Sequence, residues 1–171
     1  DKGYAIYAIG DSQINGKQTV TGDQAVDGNQ SIGNLGFNAY LSSDLTIDDT
    51  KQVVTYDTVD ADDAGEYDSS TGEFSPVRDG DFLIVVQTEW EVGVSEGDEF
   101  FTSLTKNGSD IAFQSNTYSG SRGDTQRITY VARGLTTDDT ITVEVSSITS
   151  NGSSSLSGGQ QLTFFQASKI A

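Results

Sequence analysis

The sequence predicts an all-β protein, an antiparallel jelly-roll β-sandwich preceded by a short β-structured repeat stem. Three observations carry that expectation. Apolar residues alternate with polar ones in several short segments, as in TITVEV ending at Val145 and RITYVAR around Tyr130. Asp, Gly, Ser and Asn cluster between those segments at turn-like intervals. Nowhere do apolar residues recur at the three- and four-residue spacing of an amphipathic helix.

The first element is a repeat between about residues 10 and 34. Written in sixes it reads INGKQT, VTGDQA, VDGNQS, with apolar Ile14, Val20, Val26 and Ile32 and glutamines Gln18, Gln24 and Gln30 at matching places. Six is an even period, so on a regular strand these residues share one face and Lys17, Asp23, Asp27 and Asn29 take the other. One strand cannot bury such a face against itself, and about three copies are too few for a self-contained solenoid. Residues 1–36 are therefore expected to form a stem or attachment segment in which identical chains pair their apolar and Gln layers around a threefold axis. The competing reading is a flexible Gly/Asn-rich linker.

Residues 37–171 are expected to form the second domain. Ile141, Val143 and Val145 fall on one strand face, as do Ile128, Tyr130 and Ala132. The segment from Asp81 to Val92, DFLIVVQTEWEV, has an unbroken apolar middle and reads as a strand covered on both faces, with Trp90 in the core. Leu162 to Ile170 reads as a closing strand. About eight strands result.

Composition narrows the function. Of 171 residues, 26 are Asp or Glu and 9 are Lys or Arg, a net charge of −17. That field repels phosphate backbones and anionic headgroups, so no nucleic-acid partner is expected. No apolar run approaches the roughly 20 residues needed to span a bilayer, so no membrane insertion is expected. With no His and no Cys, the common general base, the thiolate nucleophile and the usual zinc ligands are missing, and no catalytic residues are assigned. The acidic surplus with scarce lysine resembles proteins of salt-accumulating halophiles, in which concentrated salt screens self-repulsion. An ordinary acidic secreted protein is the alternative.

The stretch YDSSTGEFSPVRDGDFLIVV, from Tyr67 to Val86, resembles the globular C1q domain of the C1q/TNF-like superfamily. There, Tyr-Asp, Thr-Gly-x-Phe, a Pro-Val pair and Gly-x-Phe lead into a long central strand. In the same order, AYLSSD near Tyr40 is similar to the family's first strand and VVTYDTV (residues 53–59) to its second. LTKNGSDI (104–111) is similar to its Lys-Asn-Gly hairpin, GLTTDDTITVEV to its late strand, and SLSGGQQLTFF to its closing strand. The resemblance implies a ten-stranded jelly roll that assembles as a compact homotrimer, burying apolar strand faces at the threefold axis. The family's cysteines and its collagen stalk are absent, and the hexad segment stands where the stalk would be.

Candidate binding residues follow from loops. Tyr118, Arg122 and Asp124 lie in SNTYSGSRGDT, a Ser/Gly-rich loop at the end of a β scaffold, where binding residues concentrate. The sequons at Asn29, Asn107 and Asn151 are candidate glycosylation positions. Acidic groups at Asp48–Asp49, at Asp60, Asp62 and Asp63, and at Asp138–Asp139 offer the oxygen ligands calcium takes. None matches the DxDxDG spacing with a Glu at position twelve, so they read as solvated surface, and neither calcium ligands nor a cofactor is assigned. A β-repeat stalk under a jelly-roll knob is similar to viral fibres and spikes. The expected function is a non-enzymatic trimeric virion surface protein of a halophilic archaeal virus, for host attachment or capsid and tail decoration. Its expected partners are other virion or surface-assembly proteins, met through the N-terminal segment, and a host-surface glycan or protein. The alternative is a secreted C1q-like subunit of an archaeal extracellular filament, biofilm or cell-surface layer.

Overall fold

The computed structural model describes residues 36–91, 95–120 and 124–171. The hexad residues Ile14, Gln18, Val20, Gln24, Val26, Gln30 and Ile32, with Asn29, lie outside the described residues, as does Arg122. Among the described residues there are thirteen strands and no helix. They are β1 (Gly36–Tyr40), β2 (Leu45–Asp48), β3 (Gln52–Val53), β4 (Thr58–Ala61), β5 (Tyr67–Asp68), β6 (Glu73–Phe74) and β7 (Gly80–Trp90). There follow β8 (Glu99–Lys106), β9 (Ser109–Thr117), β10 (Asp124–Leu135), β11 (Ile141–Ile148), β12 (Ser153–Leu156) and β13 (Phe164–Lys169).

They form two antiparallel sheets. The first runs β2-β12-β7-β13-β1-β4, with β10 paired along the other edge of β7. The second runs β5-β6-β11-β8-β9, with β3 also paired to β11. Both sheets turn an alternating apolar face inward. Phe82, Ile84, Val86 and Trp90 of β7 meet Phe100 and Leu104 of β8 and Ile141, Val143 and Val145 of β11, and all are buried. Trp90 stacks on Phe100 with ring centroids 4.6 Å apart. At the other side of the core Phe165 packs edge-on against Phe37 at 4.7 Å, and Phe37 stacks on Tyr67 at 4.8 Å. Aromatic pairs in these geometries add to the burial of their area.

One polar layer crosses the sandwich. Thr102 Oγ1 donates to Gln126 Oε1 at 2.6 Å and shares a 2.9 Å hydrogen bond with Thr88 Oγ1, while Gln126 Nε2 donates to the Phe100 carbonyl at 2.9 Å. It joins β7, β8 and β10. The side-chain polar atoms of Thr88, Thr102 and Gln126 all have partners, so this layer fixes which strands face one another without leaving an unpaired group of its own.

Two details differ from the sequence reading. VVTYDTV is not one strand. The chain leaves the second sheet after Val53 and enters the first at Thr58, and between them Val54 and Tyr56 are fully buried. Their side chains fill the gap between the layers, so burial here comes from a crossing rather than from strand alternation. The apolar strand, expected to be covered on both faces, is covered by the second sheet on one face of β7 only.

The Lys-Asn-Gly hairpin forms as expected. Asn107 (φ 51°) and Gly108 (φ 75°) make the two-residue turn between β8 and β9, the doubly left-handed geometry that Asn-Gly favours. At the mouth of β1, Gly36 (φ 134°) lies against the Ala167 carbonyl of β13, and a Cβ there would collide with that backbone. Gly36→Ala is expected to loosen the β1–β13 pairing and lower stability by at least about 1 kcal/mol. Urea unfolding of the two proteins at equal concentration checks it, and an unchanged midpoint would mean that the strand end shifts freely.

Candidate functional site

Across β1, β13, β7 and β10 the outward face of the first sheet carries three cross-strand rows, bordered by Glu89 opposite Thr125. Tyr40, Phe164, Gln87 and Arg127 stand side by side on β1, β13, β7 and β10. Asn38, Gln166, Val85 and Thr129 form the second row, and Gly36, Ser168, Leu83 and Val131 the third. Directly opposed residues on antiparallel strands project to the same side, so these twelve positions make one surface. Tyr40, Phe164 and Leu83 are half-buried, Val85 is 7% exposed and Val131 is 40% exposed. The Arg127 guanidinium lies 6.0 Å from the Phe164 ring centre. None of the twelve is Asp or Glu, in a chain that carries 26 of them. Depletion of charge around aromatic and aliphatic side chains is the composition of an interface core rather than of a free surface.

At one end of the sandwich, Asp139 holds three elements together. Its carboxylate accepts the Thr136 amide at 2.8 Å, the Asn107 side-chain amide at 2.8 Å and the Lys106 ammonium at 2.9 Å. Asn107 Oδ1 in turn accepts the Thr140 amide at 2.8 Å. The Thr136 amide first, then Lys106 and Asn107, hold the Asp139 carboxyl well below the ordinary carboxylate range. A depressed native value means that the stabilisation is complete above the unfolded value of about 3.9 and drains away as pH falls below it. Asp139→Asn is therefore expected to be less stable than the parent at neutral pH, with the gap narrowing below about pH 4. Parallel urea titrations across that range check the sign, and a gap that widens in acid refutes it.

Residues 36–165 match the family of the C1q domain. The chain belongs to the C1q-domain family. Solved structures with the same fold include Eiger TNF from S. frugiperda (12% identity, TM-score 0.63, covering 81% of this chain and 93% of that one). Murine APRIL at pH 5.0 is similar at 10% identity and TM-score 0.62, over 81% of this chain and all of the other. The globular domain of zebrafish complement 1qA protein is similar at 15% identity and TM-score 0.59, over 80% and 98%. No curated protein matches the chain.

Of the sequence-predicted contact residues in this C1q domain, Tyr118 and Asp124 are among the described residues. Tyr118 is not a presented side chain. It is 9% exposed and packs in the core, its amide donating to the Asp98 carbonyl at 2.7 Å. Leaving its ring in water would forfeit that apolar burial. Asp124 opens β10, and its carboxylate accepts the side-chain amides of Asn116 at 2.8 Å and Gln126 at 3.3 Å. It ties the start of β10 to β9.

The other predicted residues are placed as follows. The Asn107 side chain is taken up by Asp139 and Thr140 between β10 and β11, while Asn151 is exposed in the turn before β12. Asp62 accepts the amides of Glu66 and Tyr67, and Asp49 accepts the hydroxyls of Ser147 and Thr149. These acids cap loops. Among the described residues no three acidic side chains converge as metal ligands. Sequence reading missed the twelve-residue face because its members come from four strands far apart in the chain. The one signal was the apolar run of residues 82–86, more continuous than a strand with a single covered face requires.

Proposed function

We propose that the protein is a non-enzymatic homotrimeric surface module in which the outward face of the first sheet meets its two copies at the threefold axis. The acid-free surface through Tyr40, Val85 and Phe164 carries this reading. Elsewhere a chain of net charge −17 repels its own copies, so association is favoured where acidic side chains are absent. Burial of this face would also complete the two-sided covering that the apolar run of β7 asks for.

In this reading residues 1–36 form the stem that carries the knob to its assembly, and the knob serves host attachment or decoration on the virion of a halophilic archaeal virus. The acidic surplus with few lysines supports the salt-rich setting, and the hexad rhythm supports the stem. Light scattering in concentrated salt is expected to give a particle near three times 18.2 kDa. A monomer under those conditions would remove the proposal. Finding the protein in cell-surface fractions and not in purified virions would place the same trimer on a cell instead.

A further inference from the structure

The outward face of the second sheet carries a groove of about 350 Å³, within the roughly 300–1,000 Å³ of small-ligand sites. One wall is aromatic. Phe113 of β9 is 57% exposed, and its ring stacks on Phe101 of β8 at 6.0 Å and 25°. The opposite end is polar: Lys51 Nζ sits between Asp110 Oδ1 at 2.8 Å and Glu144 Oε2 at 2.6 Å. Between them the floor is lined by Ser103 and Ser146. The register sets Phe113 beside Ser103 and Ser103 beside Glu144, so aromatic wall, floor and carboxylate stand in one row across three strands.

We propose that this groove binds a neutral carbohydrate, with the C–H face of a sugar ring on Phe113 and its hydroxyls on Asp110, Glu144 and Lys51. Charge and polarity select the class. Asp49, Asp110 and Glu144 line the groove with one lysine among them, so an anion is repelled. A cation would compete with Lys51, which already occupies the space between two carboxylates. A wholly apolar ligand would strip water from the ammonium and carboxylates without replacing its hydrogen bonds. A sugar is apolar on one face and hydroxylated at its rim. The C–H groups suit the electron-rich ring face. The Lys-Asp-Glu cluster supplies the donor and the acceptors that vicinal hydroxyls need. Phe113 is held by its stack on Phe101, which limits the ordering cost of binding. The inference rests on the assembly reading only in that the groove lies on the sheet opposite the proposed interface and stays open in the trimer.

The test is a printed array of neutral glycans, with cationic glucosamine oligomers beside them, probed with the full chain and followed by titration calorimetry with the glycan that binds best. Phe113→Ala is expected to weaken binding about tenfold or more and Phe113→Trp to restore it. Because the ligand is uncharged, affinity should change less than about twofold between dilute and concentrated salt. The proposal is overturned if no neutral glycan binds better to the parent than to Phe113→Ala. Binding confined to glucosamine oligomers and lost in salt overturns it too. Light scattering of the same samples separates the two readings, since a glycan-binding monomer would sink the assembly and leave the groove.

Discussion

Phe165→Ala is expected to lower the stability of the folded domain by about 3–5 kcal/mol, a large share of the roughly 5–15 kcal/mol that holds an ordinary domain together. The ring is fully buried on the inward face of β13. It sits edge-on to Phe37 at 4.7 Å and to Tyr67 at 6.0 Å, with Tyr56 at 5.8 Å. Removing it leaves a void bounded by three rings from β1, from β5 and from the crossing between the sheets. Those rings are fixed by their own contacts, so the site cannot collapse to refill the space. Phe165→Leu keeps most of the volume and should cost much less, on the order of 1 kcal/mol. Urea unfolding at fixed salt and fixed protomer concentration measures both, the second condition because an assembling protein gains apparent stability by mass action. A loss below about 1 kcal/mol for the alanine variant would show that the aromatic cluster does not anchor the sandwich.

The strands that carry this core were legible from the sequence because their pattern is local. Ile141, Val143 and Val145 alternate with polar neighbours and all three are buried, and Trp90 packs where its apolar strand suggested. The Asn107–Gly108 turn was legible because its backbone geometry needs those two residues. Non-local features were hidden. Tyr118 reads as a presented side chain in a Ser/Gly-rich segment, yet burial is decided by what the fold brings above it, and its ring is buried. Lys51, Asp110 and Glu144 meet only because β3, which Lys51 precedes, lies on one sheet with β9 and β11. Nothing in their spacing along the chain announces it. The acid-free face was hidden for the same reason, since its members alternate with core residues on every strand and emerge only when the strands are set in register.

Phe164→Asp, one residue from the core position, is expected to leave the fold intact and abolish assembly. Phe164 points to the outward side of the first sheet, half-buried between Tyr40 and Gln87, with Arg127 over its ring. In a single chain the aspartate stays in water beside Arg127, so the circular dichroism spectrum and the urea midpoint per protomer should move little. At a threefold interface the same substitution removes an aromatic contact and places a carboxylate in a desolvated site, a cost of several kcal/mol per copy. Three copies suffer it at once, near one another, in a protein already repelled by its own charge. The mass by light scattering is then expected to fall from near three times 18.2 kDa to 18.2 kDa. Val77→Asp, at an equally apolar but outlying position that is 44% exposed, should leave the trimer whole and controls for added charge alone. A Phe164→Asp protein that remains trimeric would move the interface to another face. Loss of the trimer in both variants would trace the effect to net charge rather than to the surface around Phe164.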